Sequence, residues 1–144
     1  MSRARSQARR CAVQALYQWQ LTGDDVTDVA AQIMEEKDTK KVDASYFRGL
    51  LSGVVKQVDK LDELIAPALD RSVESVDPVE LAILRMSVYE LQYHIEVPYR
   101  VVINEAVELG KTFGSEQGHK YVNGVLDKLA AQLRSAEFGQ KSAK

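Results

Sequence analysis

Arg3, Arg5, Arg9 and Arg10 all precede the first acid, Asp24, in a chain whose formal net charge is -2. Coiled at about 100° per residue, this segment places Arg3, Arg10, Gln14 and Tyr17 on one stripe, with Ala12, Leu16 and Trp19 on another. A guanidinium is a planar fork that grips phosphate through two hydrogen bonds and lies flat on a base. A tyrosine on the same stripe offers an unpaired base a stacking surface. The chemistry these side chains support is recognition of single-stranded RNA. The competing reading is a solvated basic helix that pairs with the acidic segment following it. Arg9 lies beside the apolar stripe, seven residues before Leu16, where a structural salt bridge competes with an RNA contact.

A second cation–aromatic pair, Lys120 and Tyr121, follows the polar loop from Gly114 to Gly118 and sits in the first turn of the last periodic segment. Free N–H groups at a helix start favour anions. The alternative there is an ordinary helix cap with a half-buried tyrosine. The loop lacks the lysine and the spacing of a P-loop.

Little in the chain points to catalysis. His94 and His119 have no ligand partner at metal-binding spacing, and Cys11 has neighbouring arginines but no candidate base. The acid pairs Asp24/Asp25 and Glu35/Glu36 lack the apolar setting that would raise a pKa. The expectation is a binder that uses no metal or cofactor, not an enzyme.

The elements that must carry these groups are all helical. At 144 residues with 45% hydrophobic and 28% charged content, the chain reads as one globular domain. No apolar run approaches the roughly 20 residues of a membrane span, and no apolar h-region follows the N-terminal charges. One cysteine allows no internal disulfide, which suits a reducing cytoplasm.

Helical spacing predicts a first helix over 3–21, closed by Thr22-Gly23-Asp24, and a short acidic one over 25–37. A long third helix spans 43–69, with Phe47, Leu50, Leu51, Val54, Val58, Leu61 and Ile65 as its stripe and Pro67 ending or bending its last turn. Asp77-Pro78 starts a fourth, to about Ile95, apolar on two faces that include Tyr93 and Ile95. Such a helix is either central in the core or offers one face to a partner. Further helices run over 100–113 and from about His119, and residues 137–144 read as a frayed tail. The fold class is all-α, with six to seven helices and no sheet.

Three motifs in order resemble the NusB family of bacterial transcription antitermination factors. They are the arginines before Ala12-Val13-Gln14-Ala15-Leu16-Tyr17, the stretch Val97-Pro98-Tyr99 leading to Ile103-Asn104-Glu105-Ala106, and Phe113-Gly114 followed by Lys120-Tyr121-Val122-Asn123-Gly124-Val125-Leu126-Asp127. The likeness covers nearly the whole chain. It implies two packed helical subdomains, here a single domain over 1–136 with a flexible tail over 137–144.

The resemblance also implies binding of single-stranded boxA RNA in nascent ribosomal RNA together with the ribosomal protein NusE, within a complex that helps RNA polymerase resist termination. Carried over by position, Arg3, Arg5, Arg9, Arg10, Gln14, Tyr17, Gln117, Lys120 and Tyr121 would contact RNA. Glu80, Ile83 and Arg85, on the two-faced helix, would belong to the protein-partner surface.

Close relatives carry a denser arginine run where this chain has Ser6 and Gln7, often an aspartate at Gln117, and commonly a phenylalanine at Tyr121. Whether the free protein is a monomer or a homodimer hiding its basic face is left open. Two other readings remain: a helical protein–protein adaptor, or the RNA-binding lobe of an rRNA methyltransferase, for which the chain has no residues left to build a cofactor domain.

Overall fold

The computed structural model describes residues 2–36 and 39–137. Among them are seven α-helices, three short 3₁₀ turns and no strand. The helices are α1 (Arg3–Thr22), α2 (Val26–Glu36), α3 (Ala44–Lys56), α4 (Val58–Ile65), α5 (Pro78–Tyr93), α6 (Tyr99–Phe113) and α7 (Gly118–Leu133).

Local chemistry sets most boundaries. The Ser2 hydroxyl accepts from the Arg5 N–H at the start of α1. Its end is Gly23, whose left-handed φ of 71° lets its N–H reach the Trp19 carbonyl, a conformation that favours glycine. Asp43 caps α3 by accepting from the Tyr46 N–H. Asp77 accepts from the N–H groups of Val79 and Glu80, and Pro78 supplies the fixed φ of a first helical residue.

The long helix expected over 43–69 is two helices. Gln57 leaves helical geometry at φ -107° and ψ 13°, although the hydrogen bonds on either side continue across it. The apolar spacing runs through the break unchanged, so periodicity gave no sign of it. The kink has a packing role: α3 lies against α1, α2 and α5, whereas α4 turns to α5 and α7.

α5 is the hub, packed against α1, α3, α4, α6 and α7. Ala82, Ile83, Leu84, Met86, Val88 and Leu91 are buried around its circumference. A helix enclosed on both sides satisfies the two-faced pattern without a partner, at about 1.5–3 kcal/mol for each large aliphatic side chain buried. Tyr93 and Ile95 are the exceptions. α5 ends at Tyr93, and the turn that follows leaves Ile95 78% exposed. Helices α1–α3 form one group and α4–α7 the other, joined through α5 and the contacts of α1 with α6.

Arg134, buried beyond the end of α7, closes the far side of this joint. Its guanidinium donates to the carbonyls of Leu91 at 2.8 Å and His94 at 3.0 Å, capping the C-terminus of α5. It also donates to Glu137 Oε1 at 2.8 Å, and Glu137 Oε2 accepts from the Tyr99 N–H at the start of α6. Each charge faces the helix end whose dipole it complements. Glu137, expected to open the frayed tail, is anchored by these bonds, and the rest of that expected tail, 138–144, lies outside the described residues.

Candidate nucleic-acid interface

The helical stripe of α1 faces outward along its length. Arg3 and Arg10 are exposed, Gln14 is half-buried, and Tyr17 is 38% exposed, while Ala12 and Leu16 point into the core. Among the described residues no carboxylate lies within ion-pair distance of Arg3, Arg5 or Arg10. Likewise no ion pair joins α1 to the acidic α2, so the expected alternative of mutual neutralisation is not how this basic helix is held. Arg3 and Arg10 face water.

Arg9 is the correction on this helix. It is 1% exposed and chelates Glu90 on α5 through Nε and Nη2, at 2.8 and 2.9 Å. Nη1 donates to Glu105 of α6 at 2.9 Å. The hydroxyls of Tyr46 and Ser6 donate to Glu90 and Glu105 respectively. Burial opposes the charge on Arg9, but hydrogen bonding and the field of Glu90, then those of Tyr46 and Glu105, outweigh it and hold the guanidinium above its ordinary range. Burial first and Glu90 second raise the Tyr46 phenol. Arg9 cannot reach an RNA; it fixes α1 to α3, α5 and α6.

Arg5, also expected to contact RNA, lies off the stripe. Its guanidinium lies over the Tyr46 ring, 4.4 Å from the centroid, on the side of α1 that meets α3. Arg10, by contrast, lies 5.4 Å from the Phe113 centroid at the end of α6. That contact joins the exposed face of α1 to the loop before α7. Phe113 carries no sequence signal for this role, since its spacing marks it only as core.

Across the loop, Gln117 and Lys120 are exposed and Tyr121 is half-buried. One face of the Tyr121 ring is already covered by Arg71, 4.4 Å from its centroid. Arg71 is in turn gripped by Asp70 at 2.7 Å. A base approaching Tyr121 from that side meets a guanidinium, itself a stacking surface. Nothing in the spacing links Arg71 to Tyr121; they lie 50 residues apart and meet only in the fold.

The start of α7 is also less open to an outside anion than its sequence suggests. The Gly118 N–H is met by the backbone and hydroxyl oxygens of Ser115, at 3.0 and 3.1 Å. A Cβ on Gly118 would stand 2.6 Å from Glu80 Oε2, so glycine is what lets that carboxylate pack onto the helix end. Burial, then Asp77, raises the Glu80 pKa, with Arg71 opposing. Glu80 is 8% exposed and spans the gap between the two expected surfaces.

Of the other expected partner contacts, Ile83 is fully buried and belongs to the core, because α5 is enclosed at that turn. Arg85 is half-buried and tied to Asp62 at 2.9 and 2.8 Å and to the Gln20 side chain at 3.1 Å. It borders a groove of about 470 Å³ lined by the apolar Trp19, Leu21, Val76, Pro78 and Leu81 and by the acids Asp59, Asp62 and Glu74. The groove was not legible beforehand, as its walls come from α1, α4 and the connection into α5.

Comparison with known proteins places this arrangement. Residues 6–131 match the NusB family. The chain is 56% identical over 138 residues to the transcription antitermination protein NusB of Alcanivorax borkumensis, covering 96% of this chain and 92% of that protein. With the protein of the same name from Pectobacterium carotovorum it shares 54% identity over 134 residues, 93% of this chain and 96% of the relative.

T. maritima NusB superposes with a TM-score of 0.84 at 29% identity, over 96% of this chain and 99% of that one. A chain from the crystal structure of the antitermination factors NusB and NusE in complex with dsRNA gives 0.83, also at 29% identity, over 92% and 99%.

Proposed function

The chain belongs to the NusB family, and from that premise we propose that it binds boxA RNA of nascent ribosomal transcripts jointly with the ribosomal protein NusE, helping RNA polymerase resist termination. The observation that carries the RNA half is the exposed face of α1, where Arg3, Arg10, Gln14 and Tyr17 align with no acid neutralising them among the described residues. The Arg10–Phe113 contact continues that face toward Gln117, Lys120 and the Arg71–Tyr121 stack. The acid-walled groove beside Arg85 supports a second surface, complementary to a basic ribosomal protein.

On this reading the protein is a binder and not a catalyst, and it acts in the cytoplasm where transcripts emerge. Among the described residues no helix is long and apolar enough to cross a membrane. Residues 1–136 act as one RNA-binding domain. Arg9 and Ile83 hold the two surfaces in place from within.

The test is a titration of boxA RNA across a range of salt, with and without NusE. Three or four phosphate contacts give a log–log slope of roughly -2 to -3, and NusE tightens binding. Competing the strand against a duplex of the same sequence separates base stacking from backbone attraction, since only the single strand can lay a base on Tyr17. Affinity indifferent to salt would overturn the proposal.

A further inference from the structure

The face of α1 does not end with α1. The 3₁₀ turn Thr39–Lys41 folds back against the start of that helix, and the next residue but one pins it there: the Asp43 N–H donates to the Ala4 carbonyl at 3.1 Å. Lys41, exposed, then borders the same open recess as Arg3, Ala4 and Gln7, a concavity of about 770 Å³. Gln7 falls on the Arg3–Arg10 stripe, so the recess is the N-terminal continuation of the proposed RNA track.

Among the described residues, those that line this recess carry two cations and no carboxylate. The first turn of α1 holds no acid, and although Ser2 caps the Arg5 N–H, the positive end of a 20-residue helix dipole adds to the charge of Arg3. The nearest carboxylate in sequence, Asp43, is turned inward to cap α3 through the Tyr46 N–H. No ion pair engages Lys41 or Arg3 among the described residues. Gln7 contributes a neutral hydrogen-bonding amide at the position where the arginine run is interrupted.

We propose that Lys41, with Arg3 and Gln7, forms a phosphate-binding site that extends the RNA track beyond α1 and supplies from a second element the cation that Gln7 lacks. This rests on the RNA-binding reading above and adds a residue that no feature of the opening helix could reveal. A strand lying along Arg10, Gln14 and Tyr17 runs toward Arg3 over about 21 Å of helix and meets Lys41 there.

The experiment compares boxA RNA binding by the full chain with that of Lys41→Gln, Lys41→Arg and, as a charge control on α4, Lys60→Gln. Lys41→Gln is expected to lose one phosphate contact. Its affinity falls about two- to fivefold in low salt and its slope becomes shallower by about 0.7, while Lys41→Arg retains both. Lys60→Gln shifts neither by a comparable amount. Lys41 is exposed, so all variants keep the thermal midpoint of the parent.

A parent slope of the expected size with Lys41→Gln indistinguishable from Lys60→Gln would overturn this inference and leave the RNA reading standing. A parent that binds without salt dependence overturns both.

Discussion

Two arginines one position apart in sequence have opposite fates. Arg10 looks outward, whereas Arg9 is enclosed with Glu90, Glu105 and Tyr46. A buried charge with a bidentate partner is costly to break and cheap to replace as a pair. Glu90→Gln should therefore destabilise the protein by about 3–5 kcal/mol in urea unfolding, and the joint replacement Arg9→Met with Glu90→Leu should recover most of that loss. A double variant as unstable as the single one would mean that the ions themselves are indispensable.

Tyr17 makes the opposite prediction. At 38% exposure its ring is available, so Tyr17→Ala should cost about 1–3 kcal/mol of RNA binding with little change in unfolding midpoint. Unchanged affinity with lost stability would assign the ring to the core. For Glu80 the sign follows from its raised pKa. The protonated carboxyl adds stability below the ordinary value of 4.5, and that contribution is lost as pH rises through the folded-state pKa. Glu80→Gln should flatten this part of the pH–stability curve, gaining on the parent toward neutral pH; melting curves at acid and neutral pH check it.

Helix spacing decides where these side chains stand relative to one another. α6 and α7 approach so closely at Gly110 that a Cβ there would lie 2.9 Å from His119 Cβ and 3.0 Å from its Cα. Backbone cannot move aside as a side-chain tip can. Gly110→Ala should thus cost about 1–3 kcal/mol despite alanine's better helix propensity, as read by denaturant midpoint. A stabilised variant would show that the two helices can separate freely. Since α6 and α7 carry Phe113 and Lys120, weaker RNA binding should accompany the loss.

The pair α3 and α4 illustrates what periodicity misses. One stripe of apolar residues ran from Phe47 to Ile65, yet Gln57 interrupts the helix so that each half meets different neighbours. Spacing records which side is buried, not what it is buried against.

The two helical groups are tied through α5 and the ion cluster around Arg9; the basic stripe runs along α1, and the C-terminal end of the same helix lines the groove that Asp59 and Glu74 border. At neutral pH the chain as a whole is slightly acidic, so its affinity for a polyanion is local and falls steeply with salt; this is why the salt slope is the measurement that discriminates.

All-helical architecture, the ends of α1, the start of α5, and the outward stripe of Arg3, Arg10, Gln14 and Tyr17 could be read from the chain, because each depends on residues within a few turns of one another. Capping, helical period and charge are local quantities. The partners Glu90 and Glu105 of Arg9, the cover that Arg71 places on Tyr121, the hold of Glu80 on Gly118 and the recess shared by Lys41 and Arg3 could not, because each joins distant segments. A side chain's partner is chosen when helices pack, and packing assigns neighbours that no sequence interval encodes.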